Sequence, residues 1–406
     1  MRRQSGKQQI AMGKNPERSR DHNRRVVLDL VRMHGSLGRM HIAKLTHLTA
    51  QAVANIVDEL VSEDLLMEIG RLRSGRGQPP IQFAVNPDGA VTIGVEIAAD
   101  HMVTTVLDLS GKLRSETIMP VENTSPEHIV PLFAGEVKKV RKRFPSKLLG
   151  IGVVMPGPFE IEGMSSVGPT TLPGWSSINP AAVLSEASGE TVIVENDANA
   201  AAVGERLFGA GRAISNFGMI YFGVGVGLGL IHDGAPFRGA FGNAGEIGHV
   251  VVAPRGKPCP CGQRGCLERY ASLHALKEKL TEAGYANADF AAVEVLHRNG
   301  NPVVKEWIAE TADYLSPMVA MLENILDPET VILGGALPDA VIDEIVAAMQ
   351  TLPVSVASRR TRALPRVIRG QTGQLTAALG AAALPLFEAV TPKLDISPTA
   401  VADNAA

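Results

Sequence analysis

Apolar positions recur at helical spacing in three short runs near the start of the chain: Val26, Val27, Leu30 and Val31; Ile42, Leu45 and Leu48; then Val53, Ile56, Val57 and Leu60. Spacing of three and four residues lines these side chains along one stripe of a helix, so three helices are predicted, separated by "HGSLGR" (34–39) and "THLTAQ" (46–51). The segment 65–85 changes period. It reads as a short strand, a glycine-rich loop holding Arg71, Arg73 and Arg76, and a second strand. Three helices with a tight turn before the third, followed by a hairpin, is the layout of a winged helix-turn-helix, expected over residues 21–85. Residues 1–20 are polar and basic with no hydrophobic period, and a flexible arm is predicted there.

On the third helix the apolar positions 53, 56, 57 and 60 share one face, which turns Gln51, Asn55 and Asp58 outward. Gln and Asn can make bidentate contacts to adenine, a capacity that a helix serving only as core has no use for. Thr49 falls where an N-cap is needed, and its hydroxyl can also bond a phosphate. The hairpin arginines, Arg71, Arg73 and Arg76, suit a minor groove or the phosphate backbone. Double-stranded DNA is therefore the expected partner of this region. A helix-turn-helix reader of paired half-sites further implies a homodimer or homotetramer.

Beyond the "NPDG" turn at 86–89 the pattern becomes one of strands alternating with helices. Two β-rich runs flank a loop in 91–113, and "LLGIGVVMPGPFE" (148–160) is a buried strand ending in a turn. "ETVIVENDANAAAVGERLFGAG" (190–211) is a strand running directly into a helix; "GMIYFGVGVGLGLIHDG" (218–234) is a glycine-rich hairpin; "DPETVILGGAL" (327–337) is a strand entering a Gly-Gly turn. An α/β domain over 91–390 is expected, with a C-terminal tail at 391–406 and polar turns at strand ends gathering in a cleft. No fixed-period sequence repeat is present.

Charge sharpens the division. Residues 1–85 carry 14 Lys and Arg against 8 Asp and Glu, a balance of +6, so the rest of a chain whose net charge is −3 carries −9. A basic head on an acidic body fits a head that meets a polyanion. The longest strongly apolar run, "YFGVGVGLGLI" (221–231), is too short and too rich in glycine to span a bilayer, and no secretory segment follows the basic start, so no membrane association and a cytoplasmic location are expected.

All three cysteines of the 406 residues fall in "CPCGQRGCLE" (259–268). Three cysteines close together in a long chain suit a metal better than disulfides. "GNAGEIGH" (242–249) places His249 ten residues before Cys259, so His249, Cys259, Cys261 and Cys266 can close a tetrahedral site with the usual stoichiometry of structural zinc.

The segments "LPGW" (172–175), "ENDANAAAVGE" (195–205), "GEIGH" (245–249) and "CPCGQRGCLE", in that order, resemble the ROK family of repressors and sugar kinases, and the head at 22–85 places the resemblance in its repressor branch. The resemblance implies a two-lobed actin-like ATPase (ribonuclease H-like) fold. It also implies a sugar held by Asn196, Asp197, Glu246, His249 and Glu268, with Asp197 at the position of the kinase base. Carboxylates and an amide suit vicinal hydroxyls, which need several convergent polar partners. One ring nitrogen of His249 would bind the metal and leave the other for a hydroxyl.

The chain departs from the family's kinases where ATP phosphates would lie. The first phosphate loop, DxGGT in the kinases, aligns with Glu96, Ile97, Ala98, Ala99 and Asp100. Two glycines have gained a side chain and the Thr has become a carboxylate, which repels phosphate. The second loop reads Gly223, Val224, Gly225 and lacks a hydroxyl; in the nucleotide region Gly334 and Gly335 are followed by Ala336 instead of a frequent third glycine. The expected function is a sugar-responsive transcriptional repressor of carbohydrate genes with no enzymatic activity. The alternatives are an active sugar kinase carrying a DNA-binding head, and a regulator controlled by a protein partner.

Overall fold

The computed structural model describes residues 16–71, 80–156, 172–175, 178–285, 288–349, 351–357 and 361–391. The chain forms two compact units, residues 1–90 together with the segment from Glu388 onward, and residues 91–387.

In the first unit α1 (Pro16–His34), α2 (Arg39–Thr46) and α3 (Ala50–Ser62) are followed by the strands β2 (Leu66–Arg71) and β3 (Ile81–Val85), and a short β1 (Leu37–Gly38) joins them in a sheet ordered β1-β3-β2. Val53, Ile56, Val57 and Leu60 are buried, and burial of side chains of this size is worth about 1.5–3 kcal/mol each. α1 starts at Pro16, so residues 16–20 are helix and the expected arm at 1–20 is corrected there. Proline suits a first helical turn, and Arg20 and Arg24 reach across to Glu59 and Glu63 of α3, which ties down a segment with no apolar period of its own. Residues 1–15 lie outside the described residues. Leu45, expected on the apolar stripe of α2, is 41% exposed, because α2 buries only Ile42. The helix ending at Val390 also carries the chain past Glu388 into this unit, where Arg25 donates to the Glu388 carbonyl; residues 392–406 are not described.

The second unit holds two five-stranded sheets built to one plan. The first uses β4 (Ala90–Ile97), β5 (His101–Asp108), β6 (Leu113–Pro120), β7 (Lys147–Met155) and β8 (Val192–Asn196) in the order β6-β5-β4-β7-β8. β4, β5 and β6 are antiparallel, while β7 and β8 are parallel. The second uses β9 (Phe217–Phe222), β10 (Val226–His232), β11 (Ala235–Pro236), β12 (Thr330–Gly335) and β13 (Val367–Arg369) in the order β11-β10-β9-β12-β13. Again three antiparallel strands precede parallel pairings. The helices are α4 (Pro126–Arg143), α5 (Pro180–Ser188), α6 (Asp197–Phe208), α7 (Glu268–Ala271), α8 (Leu273–Glu282), α9 (Phe290–Arg298), α10 (Pro302–Leu326), α11 (Asp339–Ala348) and α12 (Thr376–Val390).

Close helix-on-sheet contact explains the glycine-rich strands. A Cβ at Gly229 of β10 would lie 2.1 Å from the Ala198 carbonyl oxygen of α6, and one at Gly227 would lie 2.8 Å from the Ala198 methyl. The intervening Val226, Leu228 and Leu230 are buried, as alternation along a strand requires. α12 uses the same device, meeting β4 at Gly94 and β7 at Gly152. That helix corrects one expectation. The longest apolar run is Gly373–Val390, long and apolar enough to cross a membrane by length and composition, and 67% of it is buried inside the protein.

Candidate functional site

β8 delivers Asn196 and Asp197 to the start of α6. Asn196 is the N-cap, its Oδ1 accepting from the Ala198 amide at 2.8 Å, so its amide NH2 is the part left for a ligand. Asp197 Oδ1 accepts from the same amide at 2.8 Å. Burial raises Asp197 to about 6, opposed by its backbone hydrogen bond and assisted by the charge of Glu246. Asn199, one helical turn on, donates to Glu195 Oε1 at 3.2 Å, and Arg238 pairs with the other oxygen of Glu195. Glu195 and Arg238 thus brace the Asn-Asp corner. The sequence gives Glu195 within its motif but no signal for Arg238, which arrives from 43 residues away.

Glu246 and His249 lie on a turn pressed against β10. A Cβ at Gly245 would come within 1.9 Å of the Leu228 carbonyl and one at Gly248 within 2.4 Å of the Val226 carbonyl, so both glycines of "GEIGH" allow close approach. From there the chain doubles back. Val252 bonds Gly265, Leu267 bonds Val250, and Gly265 bonds Lys257, which folds the cysteine loop over the His249 segment. This return explains how a histidine ten residues upstream reaches the thiols.

His249 Nδ1 lies 3.7 Å from Cys259 Sγ, and Cys261 Sγ lies 3.6 Å from Cys266 Sγ. One donor atom from each of His249, Cys259, Cys261 and Cys266 falls within 4.8 Å of all the others. Tetrahedral ligands at metal–sulfur distances of about 2.3 Å sit roughly 3.8 Å apart, so the cluster fits a four-coordinate metal ion. Burial pushes the Cys259 and Cys266 thiols up, which makes a cation the natural means of holding them as thiolates. Nδ1 is the metal-side nitrogen of His249, leaving Nε2 for another partner.

Glu268 opens α7 two residues past Cys266. Its Oε1 accepts from Cys259 Sγ at 3.1 Å and lies 3.6 Å from His249 Nδ1. A metal-bound thiolate has no proton to donate, so that hydrogen bond belongs to the metal-free protein. Burial raises Glu246, which also feels the repulsion of Glu268 and the attraction of His249. The 223–225 turn lies between the two ends of this group. A Cβ at Gly223 would be 3.4 Å from Asp197 Oδ2, and one at Gly225 would be 3.1 Å from Glu268 Oε2. The structure therefore gathers Asp197, Glu246, His249 and Glu268 around one glycine turn. A separate cavity of about 400 Å3, lined among others by Lys257, Arg269, Tyr270 and Tyr314, contains none of these residues.

At the first phosphate-loop position β4 and β5 meet in a tight turn closed by the Ala98 amide on the His101 carbonyl at 2.9 Å. Asp100 bonds the His101 ring at 2.6 Å. Burial and the charge of Asp197 push Glu96 up to about 7, and the buried Tyr221 hydroxyl is raised by burial and by both carboxylates. Sequence reasoning noted Glu96 only as a departure from the kinase loop; the fold sets it facing Asp197. "LPGW" packs by burying Trp175, whose indole donates to the Thr124 carbonyl at 2.7 Å.

In the first unit Thr49 caps α3, accepting from the Ala52 amide at 3.2 Å, and Gln51 and Asn55 are exposed and bonded to each other at 2.9 Å. Asp58 pairs with Arg39, whose guanidinium lies over Phe83. Arg71 ends β2, while Arg73 and Arg76 lie outside the described residues.

An α/β domain of two matched sheets with a polar corner and a metal cluster matches known proteins along most of its length. Residues 92–387 match the model of the ROK family, and the chain belongs to that family. A xylose repressor from Caldicellulosiruptor bescii is 31% identical over 329 residues, covering 77% of this chain and 82% of that protein. A ROK family glucokinase from Streptomyces griseus, solved with glucose and AMPPNP, is 27% identical and superposes with a TM-score of 0.60 over 72% of this chain and 98% of its own. A ROK family transcriptional regulator described as a homolog of the E. coli MLC protein shares the fold over 92% of this chain and 98% of its own, with a TM-score of 0.72 at 21% identity.

Proposed function

We propose that the chain is a sugar-responsive transcriptional repressor whose kinase-like domain binds a sugar without phosphorylating it. The observation that carries this reading is the contrast within one site. The hydroxyl-binding set Asn196, Asp197, Glu246, His249 and Glu268 is intact, while the turn where ATP phosphates would sit presents Glu96 and Asp100. Phosphate transfer needs amides and cations around the phosphates, and two carboxylates oppose that. The likeness to repressors that carry a region ahead of the kinase-like domain supports the same reading.

The first unit is the DNA-reading head in this proposal. It acts as a winged helix-turn-helix in which α3 presents Gln51 and Asn55 to base edges, Thr49 reaches a phosphate, and Arg71, Arg73 and Arg76 of the hairpin grip the backbone or minor groove. Two heads on paired half-sites require a homo-oligomer. The metal is zinc, held by His249, Cys259, Cys261 and Cys266; it fixes the orientation of His249 so that Nε2 can meet a sugar hydroxyl.

Calorimetric titration with a panel of free pentoses and hexoses tests the reading, and at least one should bind. Asp197 stands where a kinase base would, so the same sugars are offered with ATP in a coupled ADP-release assay. The expected result is binding without turnover; steady ADP release would make the chain a kinase.

A further inference from the structure

The charges around the site set what kind of sugar it takes. Asp197, Glu246 and Glu268 form a chain in which each carboxylate feels the next, and Glu96 faces Asp197 from the β4–β5 turn, with Asp100 beside it. Cations to balance them are scarce. Between Lys147 and Arg206 the chain contains no Lys or Arg, a stretch that includes β8 and the Asn-Asp corner. From 213 to 254, which holds the glycine turn and "GEIGH", Arg238 is the only one, and its guanidinium is engaged by Glu195. Arg269, next to Glu268, bonds Glu278 at 2.7 Å, and Arg264 stands exposed in the metal loop. His101 is bonded to Asp100, and the Nδ1 of His249 faces the thiols.

Resting on the sugar-binding reading above, we infer that the effector is an uncharged or cationic sugar and that its phosphate esters are excluded from the site. Hydroxyls and an ammonium group find acceptors in these carboxylates. A phosphate dianion finds like charge on several sides and no Lys or Arg supplied by the motif-bearing elements to offset it. One unit charge at ~6 Å from another, in an effective dielectric of ~20, is worth on the order of a hundredfold in affinity. A regulator built this way responds to a sugar before it has been phosphorylated.

The test is calorimetric titration of the full-length, zinc-loaded chain with xylose, glucose, N-acetylglucosamine and glucosamine, and with xylose 1-phosphate, glucose 6-phosphate and N-acetylglucosamine 6-phosphate. The expected result is that whichever free sugar binds does so at least about a hundredfold more tightly than its ester. An ester that binds as tightly as its parent overturns the inference and leaves sugar binding standing. No binding by any of the seven ligands removes the sugar-binding reading itself, and the inference with it. A Glu96→Gln/Asp100→Asn double variant, shown to be folded by circular dichroism, should narrow the gap between sugar and ester. An unchanged gap would overturn the electrostatic cause.

Discussion

Asp197 answers to two demands that move its proton in opposite directions. To accept from a sugar hydroxyl it must be ionised, yet burial raises it from an ordinary 3.8 to about 6. As pH falls from 7 through 6 the folded protein takes up this proton and loses the acceptor, so effector affinity should fall across that window. A titration series from pH 7.5 to 5 checks this, and an affinity flat across the series would contradict it. The sign for stability is the reverse. A raised carboxyl binds its proton more tightly when folded, so its contribution is fully present below about 4 and is lost as pH rises through 6. Asp197→Asn should weaken sugar binding by roughly tenfold to a hundredfold, the scale of a hydrogen bond to a charged group, and should flatten the pH profile. At the metal, Cys259→Ser or Cys266→Ser should lower zinc content measured by mass spectrometry and also weaken sugar binding, because His249 loses its anchor. Full sugar affinity in a zinc-free variant would mean that the metal only braces the loop. The four metal-binding candidates were legible from spacing because the cysteines are concentrated in one segment. The partners of Glu195 and Glu96 were not, since Arg238 and Asp197 reach them through the fold of separate strands.

At the scale of elements, patterning marked the helices and strands, while their reasons for close contact needed the structure. "GVGVGLGL" announces a strand, but only the packing of α6 on β10 explains why alternate positions lack side chains. Gly229→Val should therefore cost about 3 kcal/mol or more, the upper range for overpacking, because the obstacle is the Ala198 carbonyl and not a movable side chain. Chemical denaturation measures this, and a loss below about 1 kcal/mol would be inconsistent with the packing. In the head, Gln51 and Asn55 stand out from the buried face of α3 as periodicity predicts. Gln51→Ala should alter base preference in selected operator sequences, whereas Arg71→Ala should weaken binding evenly and reduce its salt dependence. α1 shows the limit of periodicity: its first turns carry no apolar stripe, and their ion pairs with α3 join residues 35 to 39 positions apart.

The whole molecule contains a duplication that the sequence hides. Two sheets share one plan of three antiparallel strands followed by parallel pairings, yet no sequence repeat marks them, because packing constrains burial and small residues more than identity. The apolar segment Gly373–Val390 was likewise hard to place, since a core helix and a membrane span share the same composition. Its contacts with Gly94 and Gly152 make it a core helix. The account's central claim is that one chain couples a sugar site to a DNA-reading head, and linkage requires the sugar to favour one of two states of differing operator affinity. The most direct measurement is fluorescence anisotropy of an operator fragment selected by the protein itself, titrated with the full chain with and without a saturating sugar found by calorimetry. The account predicts that the sugar shifts the operator affinity by about fivefold or more. Identical DNA-binding curves with and without every bound sugar would contradict it.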